Sequence, residues 1–283
     1  MITSATLHRT VSAALEEDAP WGDITSTALL PEDAQATADL IAREPGVFSG
    51  GEVLAAAFTL TDPGIRVDLH AADGDRFEAG DALASVSGPA RGILTAERVA
   101  LNFTQRMSGI ATVTAAYVDA VQGTDARVAD TRKTTPGLRE FERHAVLSGG
   151  GSNHRRSLSD ALMAKDNHLE VLRQGGRDLA EALREALGRL PHTTHVVVEV
   201  DRLDQIPAVL DGGAHTVLLD NFSLADLRTA VGLLKGRAIA EASGGVSLET
   251  VRGIAETGVQ VISVGALTHS ARALDLGLDV RIG

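Results

Sequence analysis

Residues 195–220, HVVVEVDRLDQIPAVLDGGAHTVLLD, carry the clearest secondary-structure pattern in the chain. Two short apolar runs, at 195–200 and 216–220, flank a segment at 203–210 whose apolar residues recur at helical spacing. A strand, a helix and a second strand in that order predict a βαβ unit with parallel strands. The same alternation continues with strands at 238–241 and 261–264 and helices at 224–234 and 248–256, so that a strand ends roughly every 20 residues.

The alternation of strands and helices begins before residue 195 and continues nearly to the C-terminus. Strands at 127–131 and 161–165 and helices at 136–147 and 177–190 bring the total to about six or seven units, which favours a barrel over a doubly wound sheet. The first hundred residues differ: strands at 36–43, 65–71 and 82–86 between Pro- and Gly-containing turns predict a small α+β domain with an antiparallel sheet. A long helix at 94–122, with Thr95 as N-cap and Gly123 as its stop, links the two.

Composition excludes several classes of function. The 283 residues include 44% hydrophobic, 23% charged and only 3% aromatic residues, with a net charge of −12. A nucleic-acid surface would need a broad basic face, and a membrane span would need about 18 consecutive apolar residues, which the chain lacks. The absence of cysteine rules out disulfides, cysteine nucleophiles and thiolate metal sites. We therefore expect a soluble, cytoplasmic protein that binds neither nucleic acid nor membrane.

Polar or glycine-rich clusters follow the predicted strands of the second domain. They are Thr131-Arg132-Lys133, Lys165-Asp166-Asn167, Glu199, Asp220-Asn221, Glu241, Ser243-Gly244-Gly245 and Gly265-Ala266. In α/β barrels the active site lies at the C-terminal ends of the strands. Because so many segments end in polar residues at that one edge, the pattern predicts an enzyme.

A basic island within this acidic chain indicates the kind of ligand. Residues 132–165 contain seven basic and three acidic residues, a balance of +4, so the rest of the chain totals −16. Arginine donates two parallel hydrogen bonds to carboxylate or phosphate, which predicts a small, highly anionic ligand. Arg139 and Arg143 lie within a predicted helix and are interpreted as a solvated face. His154 is placed to shape the site or to carry a proton, whereas His168 is interpreted as structural.

Two acids at equivalent strand ends, Glu199 and Asp220, predict a second part of the site. Acids beside an anion site hold sugar hydroxyls or a divalent cation that bridges to phosphates, and the alternative is a pair of structural salt bridges. The turns at 243–245 and 265–266 fall on the final two strands, where barrels bind phosphate through backbone N–H groups.

Several segments together resemble one known family. They are Gly22-Asp23-Ile24-Thr25-Ser26, Glu97-Arg98-Val99-Ala100-Leu101-Asn102, Asp130-Thr131-Arg132-Lys133-Thr134-Thr135-Pro136-Gly137-Leu138-Arg139, Gly149-Gly150-Gly151-Ser152-Asn153-His154-Arg155, Lys165-Asp166-Asn167-His168 and Val264-Gly265-Ala266-Leu267-Thr268-His269-Ser270. Over essentially its whole length the sequence resembles the quinolinate phosphoribosyltransferases. The resemblance implies an N-terminal α/β sandwich domain, residues 1–103, onto which a tail at 269–283 packs back. It implies an incomplete α/β (TIM-like) barrel at 104–268.

The resemblance also implies the activity and the residues that carry it. Family members make nicotinate mononucleotide, pyrophosphate and CO2 from quinolinate and phosphoribosyl pyrophosphate (PRPP), with Mg²⁺, in NAD biosynthesis. They act as homodimers, in which Arg98 would reach the partner's site. The matching residues are Arg98, Arg132, Arg155 and Lys165, with His154 nearby, for quinolinate, Lys133 for PRPP, Glu199 and Asp220 for ribose and Mg²⁺, and Gly244, Gly245 and Gly265 for the 5-phosphate. Thr131, Ser243, Val264 and Ala266 complete the implied substrate-binding set. Lys133, Glu199 and Asp220 are the implied catalytic residues.

Two departures and three alternatives accompany this assignment. Val197 stands where the family often has an acid, and Met163-Ala164 precedes Lys165 where bulkier aliphatic residues are expected. The alternatives are a phosphoribosyltransferase for nicotinate or nicotinamide, a divergent relative with a different substrate, and a non-enzymatic anion-binding protein. Nicotinate has one carboxylate and nicotinamide none, so four clustered cations would exceed their needs; an anion-binding protein would not need Glu199 and Asp220.

Overall fold

The computed structural model describes residues 2–283 and places them in two compact units. Its helices and strands are α1 Ser4–Asp18, α2 Ile24–Leu29, β1 Gln35–Ala42, β2 Gly46–Val47, α3 Gly51–Thr61, β3 Arg66–Leu69, β4 Arg76–Phe77, β5 Ala82–Pro89, α4 Ala90–Ala120, β6 Arg127–Ala129, α5 Arg139–Ser148, β7 Leu162–Ala164, α6 Asp166–Arg173, α7 Leu179–Leu187, β8 Val196–Val200, α8 Ile206–Asp211, β9 Thr216–Asp220, α9 Leu224–Leu234, β10 Ile239–Ser243, α10 Leu248–Ala255, β11 Val261–Ser263, α11 Ala266–His269 and β12 Leu276–Ile282. Short 3-10 turns lie at Gln174–Gly176 and Leu203–Gln205. Within residues 2–283, no helix is both long and apolar enough to cross a bilayer.

The first unit comprises residues 2–115, 134–150 and 267–283 and is built on a four-stranded antiparallel sheet. Its strand order is β12-β1-β5-β3, so the last strand of the chain pairs with the first, Leu278 opposite Leu40. Alternate residues of β1 are buried, as expected for a strand with one face on the core. The largest fully buried side chains of this unit include Leu40, Phe48, Leu54, Phe58, Leu83 and Ile93.

The long helix α4 starts earlier than the sequence predicts. It begins at Ala90, immediately after β5, and the Ala90 N–H donates to the carbonyl of Ala34 at 2.8 Å. Thr95 is therefore not an N-cap: it lies in the second turn, where its hydroxyl donates to the Arg91 carbonyl at 2.8 Å. The helix ends at Ala120, and Gly123 follows in a turn with φ of +79°.

The second unit comprises residues 116–133 and 151–266 and holds a six-stranded parallel sheet in the order β6-β11-β10-β9-β8-β7. Strands β7 to β11 are neighbours in chain order, and β11 then pairs with β6, the first strand of the unit. This circular order is that of an α/β barrel left open between β6 and β7, where Ser152 forms a parallel bridge with Ala129. The predicted fold class, an antiparallel N-terminal domain followed by an incomplete barrel, is confirmed.

The units are not separated by a single cut in the chain. Helix α5 belongs by its contacts to the first unit, and it begins at Arg139, whereas the sequence predicted a start at Pro136. The residues before it form a turn in which the Leu138 N–H donates to the Thr135 carbonyl at 3.0 Å. The division into residues 1–103 with 269–283 and residues 104–268 stays a prediction.

Candidate active site

The register of the parallel sheet brings three polar side chains to one face at the strand ends. Asp220 at the end of β9 is paired with Ser243 at the end of β10, and Glu199 near the end of β8 is paired with Leu218. Side chains of laterally paired residues share a face, and alternate residues of one strand do so as well. Glu199, Asp220 and Ser243 therefore lie along the same edge of the same face, as predicted for residues at the C-terminal ends of barrel strands.

A lysine and a glutamate meet across the first two strands of this edge. Lys165 directly follows β7, and its Nζ lies 3.0 Å from Oε2 of Glu199. The Lys165 side chain is half exposed, whereas that of Glu199 is 18% exposed. His168 fixes the backbone here, because its Nδ1 accepts from the Lys165 N–H at 3.0 Å, which agrees with its structural interpretation.

Two partly buried arginines, Arg132 and Arg155, lie close enough for the charge of Arg132 to act on Arg155. Burial lowers the pKa of Arg155 from its ordinary value, and the neighbouring Arg132 guanidinium lowers it further. Nε of Arg132 is buried and has no hydrogen-bond partner among the described residues, whereas Nη1 of Arg155 donates to the Ala161 carbonyl at 3.0 Å. Adjacent like charges and an unpartnered buried donor are both unfavourable in isolation, and a bound anion would relieve both.

His154 connects this pair to buried acids that the sequence did not single out as site residues. Its backbone N–H donates to Asp130 at 2.7 Å, its Nδ1 accepts from the Arg155 N–H at 2.7 Å, and its Nε2 lies 3.2 Å from Oε1 of Glu241. The Ser263 hydroxyl donates to the same Glu241 oxygen. Asp130 is fully buried and Glu241 nearly so. The sequence signal for Glu241 was its position two residues before Ser243 on one strand, which places both on the same face.

The turn after β10 requires glycine. Gly244 has φ of +93° and Gly245 has φ of +59°. A Cβ on Gly244 would lie 2.6 Å from Cγ of Asn221 and 2.9 Å from its backbone N, whereas a Cβ on Gly245 would meet nothing within 4 Å. Asn221 itself is left-handed, with φ of +58°, and its side-chain amide donates to Asp220 at 2.8 Å. The turn thus supports the Asp220 carboxylate, with Asn221 packed closely against Gly244 and open space beside Gly245.

The remaining predicted residues differ in their accessibility. Thr131 accepts from the backbone N–H of Lys133 at 3.0 Å, and the Lys133 side chain is exposed. Val264 is buried and its N–H already donates to the Ala129 carbonyl at 2.9 Å, so any ligand contact would have to use its carbonyl. Gly265 and Ala266 are partly exposed.

Arg98 lies on α4 in the first unit. It is exposed, and within residues 2–283 its guanidinium has neither a hydrogen bond nor an ion pair. The other predicted site residues belong to the second unit.

An open α/β barrel with two arginines, a lysine, two carboxylates and a glycine turn at its strand ends defines a class: barrel enzymes that act on small polyanionic substrates. Comparisons with known proteins narrow this class. Residues 110–279 match the family model "Quinolinate phosphoribosyl transferase, C-terminal domain", and residues 23–108 match the corresponding N-terminal domain. The chain belongs to the quinolinate phosphoribosyltransferase family.

Full-length relatives and solved structures agree with this family membership. The chain is 45% identical over 280 residues to the nicotinate-nucleotide pyrophosphorylase [carboxylating] of Mycobacterium leprae, covering 96% of both proteins. It is 40% identical to the mitochondrial quinolinate phosphoribosyltransferase [decarboxylating] 2b of Nicotiana tabacum, covering 97% of this chain and 82% of that protein. The crystal structure of NadC from Streptococcus pyogenes superimposes with a TM-score of 0.94 at 38% identity, covering 100% of this chain and 99% of the other.

A more distant likeness concerns the fold alone. Human nicotinic acid phosphoribosyltransferase superimposes with a TM-score of 0.58 at 13% identity, over 100% of this chain and 74% of that one. The architecture by itself therefore does not separate a dicarboxylate substrate from a monocarboxylate one, and the side chains of the site must do so.

Proposed function

We propose that the protein transfers the phosphoribosyl group of PRPP to quinolinate and releases pyrophosphate and CO2, giving nicotinate mononucleotide for NAD biosynthesis. The observation that carries the choice of substrate is the pair of Arg132 and Arg155, close together and partly buried, with an unpartnered buried Nε on Arg132. A site that holds two like charges together in the absence of ligand is suited to an anion with two carboxylates. Nicotinate, with a single carboxylate, would leave part of this charge unpaired.

Quinolinate carries adjacent carboxylates on its ring, and Arg132, Arg155 and Lys165 supply the cations to bind them. Guanidinium groups bind carboxylates through paired hydrogen bonds, which fixes the plane of the ring as well as its position. Lys165 is half exposed and forms a salt bridge with Glu199. When quinolinate binds, the Lys165 ammonium group would contact both the Glu199 carboxylate and a quinolinate carboxylate.

PRPP would occupy the remainder of the strand ends. Glu199 and Asp220 would accept hydrogen bonds from the ribose hydroxyls, while Lys133 and Thr131 would lie at the phosphates. The turn at 243–245, together with Gly265 and Ala266, would hold the 5-phosphate through backbone N–H groups, whereas the N–H of Val264 is already bonded to Ala129. Support comes from Gly245, which has no side chain and where a Cβ would meet nothing within 4 Å, so that a phosphate could approach the backbone closely.

The donor set fits a Mg²⁺ ion that arrives with PRPP. Within residues 2–283, no three His, Cys, Asp or Glu side chains are grouped so as to hold a metal. Mg²⁺ is commonly bound by one or two carboxylates together with substrate phosphates and water, and Glu199 and Asp220 are two carboxylates on one face. When bound there, Mg²⁺ would neutralise charge on the departing pyrophosphate.

The chemistry needs no nucleophilic side chain. The quinolinate ring nitrogen forms a bond to ribose C1 as the bond from C1 to the pyrophosphate oxygen breaks, and pyrophosphate leaves with the electron pair. The ring nitrogen is then cationic, so the adjacent carbon–carboxylate bond breaks to release CO2, and its electrons stay on the ring carbon until a proton from water arrives. The protein contributes orientation and charge stabilisation, which can supply most of such a rate enhancement.

The proposal includes a homodimer in which Arg98 acts in the partner's site. Trp21 is 94% exposed, and Ile24 and Leu29 are also well exposed, which makes an apolar patch around α2. The Thr95 hydroxyl lies 3.5 Å from Asp23, so this patch adjoins the turn of α4 that precedes Arg98. An exposed arginine without a partner beside an exposed apolar patch is what an interface residue would look like in a single chain.

Complementation tests the homodimer. Arg98→Ala and Lys165→Ala chains should each be inactive alone, and their mixture should recover part of the activity because some heterodimers hold one intact site. No recovery after co-refolding would contradict the role of Arg98 in the partner's site.

A cytoplasmic location is part of the same proposal.

Ligand discrimination tests the substrate assignment. Calorimetry should show that quinolinate and phthalate bind with similar affinity, because both carry two adjacent carboxylates, whereas nicotinate binds much more weakly. Only quinolinate should give product, since phthalate lacks the ring nitrogen. Tighter binding of nicotinate than of quinolinate would contradict a dicarboxylate pocket.

A further variant tests the division of roles within the site. Lys133→Ala should lose turnover with PRPP while it still binds quinolinate. Equal loss of both would refute the placement of Lys133 at the phosphates.

A further inference from the structure

The imidazole of His154 has both nitrogens engaged within the protein. Its Nδ1 accepts a hydrogen bond from the Arg155 backbone N–H at 2.7 Å, so the proton of the neutral ring lies on Nε2. That Nε2 lies 3.2 Å from Oε1 of Glu241, within hydrogen-bond range of a carboxylate. The ring therefore links Arg155 on one side to Glu241 on the other.

The acid at the end of this link is built into the barrel interior. Glu241 is 3% exposed and lies in the middle of β10. The hydroxyl of Ser263 on β11, which is also buried, donates to the same oxygen that faces His154. A buried carboxylate is costly unless it is hydrogen-bonded or paired, and here the His154 ring and the Ser263 hydroxyl both contact it.

Two contacts hold Arg155, and one of them is to His154. The Arg155 backbone is held by His154 and its guanidinium by the Ala161 carbonyl at 3.0 Å. If His154 took its other tautomer, a ring N–H would face the Arg155 N–H, and the two donors would repel. The Glu241 carboxylate excludes that tautomer, because only Nε2–H can donate to it.

We propose that Glu241 is a positioning residue for the dicarboxylate substrate, acting through His154 to hold Arg155, and that His154 carries no proton in the reaction. This inference rests on the proposed function, because it gives Arg155 the role of binding a quinolinate carboxylate. It decides between the two roles that the sequence left open for His154, and it adds two residues, Glu241 and Ser263, to the machinery that supports the site.

Four variants test the proposal through separate effects on substrate binding and on turnover. Glu241→Ala should raise the Kd and KM for quinolinate about 10- to 100-fold, as expected when a hydrogen bond to a charged group is lost, with little change in the KM for PRPP. Glu241→Gln should recover much of the affinity, since its amide oxygen can still accept from Nε2–H. Ser263→Ala, which leaves the carboxylate in place, should have a smaller effect in the same direction. His154→Asn should raise the KM for quinolinate and slow turnover by less than about tenfold, because general acid–base catalysts contribute about 10²–10⁴.

A spectroscopic readout tests the proposal without any activity. In protein labelled with nitrogen-15 histidine, the His154 signals, identified by their absence in His154→Asn, should show an unprotonated Nδ1 and a protonated Nε2. If the wild-type protein showed Nδ1–H, the proposal would be overturned even if the enzyme were fully active. If the tautomer were as expected but quinolinate gave no product, the proposed function would fail while the structural link stood.

Two kinetic outcomes would also overturn the proposal. If turnover by His154→Asn fell by two orders of magnitude or more while quinolinate affinity stayed unchanged, His154 would be a proton carrier. An equal rise in the KM for PRPP and for quinolinate in Glu241→Gln would make Glu241 a general structural residue. Should Glu241→Ala fail to fold, Glu241→Gln, Ser263→Ala and the wild-type spectrum still decide the question.

Discussion

Replacing Arg132 by methionine separates ligand binding from stability. Methionine keeps an unbranched side chain but removes the charge, the buried Nε and the repulsion that Arg155 experiences. Removing one partner of a buried, hydrogen-bonded charge pair costs about 2–5 kcal/mol. At 1.4 kcal/mol per tenfold change, the KM for quinolinate should rise on the order of 30- to 4,000-fold.

The unliganded protein should respond in the opposite direction. An unsatisfied buried polar group costs about 1–3 kcal/mol, so Arg132→Met should leave the free energy of unfolding unchanged or raise it by about 1 kcal/mol. Thermal unfolding with and without quinolinate measures both effects. In the wild-type protein a quinolinate concentration of about 100 times Kd adds about 2.7 kcal/mol of stability, and in the variant the same concentration should add less than about 1 kcal/mol.

The matched control is Arg228→Gln, an exposed arginine on α9 whose guanidinium bonds only within its own helix, to the Leu224 carbonyl. Arg228→Gln should change neither the KM for quinolinate nor the stability that quinolinate adds. A change of less than threefold in the KM of Arg132→Met, or a marked loss of stability in its unliganded form, would refute the reasoning.

Three further predictions concern other parts of the chain. Gly244→Ala should destabilise the protein by about 2–4 kcal/mol, because an alanine there has a strained left-handed backbone and clashes with Asn221. Gly245→Ala should lower the free energy of unfolding by only about 1 kcal/mol. Equal urea midpoints for the two variants would contradict this. Arg106→Met should cost about 3–5 kcal/mol, because it leaves the fully buried Glu142 carboxylate, 2.8 Å away, without its cation; urea unfolding of a well-folded variant with unchanged stability would count against that pairing. Burial lowers the pKa of His195 from 6.5, and the adjacent His215 lowers it further. As the pH drops below about 6.5, the unfolded chain therefore binds this proton before the folded protein does, and the free energy of unfolding should fall. His195→Gln should reduce this pH dependence, and identical pH profiles of the urea midpoint would show that His195 is not responsible.

The sequence was sufficient to predict the strands of the second unit, because each is a short apolar run that ends at or near a polar residue, but helix α6, Asp166–Arg173, was not predicted. Strands β8 and β9 were located by this pattern, and with them Glu199 and Asp220 at the edge where the structure places them. The start of α4 could not be read in the same way. Strand β5 passes directly into the helix, and the contact that satisfies the first N–H, the carbonyl of Ala34, is distant in sequence.

The buried acids illustrate a different limit. Glu241 was recognised only as a polar residue near a strand end, because nothing in the local sequence shows that it faces His154. That contact depends on how far the barrel closes between β10 and the segment after β6, which is a property of the whole sheet. Local patterns thus predicted which polar residues lie at the strand ends, but not how one residue orients another.

Product analysis with labelled substrate is the most direct test of the proposed conversion of quinolinate to nicotinate mononucleotide and CO2. The purified protein would be given PRPP, Mg²⁺ and quinolinate labelled with carbon-14 in the 2-carboxylate, with nicotinate and nicotinamide offered in parallel reactions. We predict one labelled CO2 for each nicotinate mononucleotide formed from quinolinate, and no mononucleotide from the other two. Mononucleotide formed from nicotinate without CO2, or no product from quinolinate, would contradict the account.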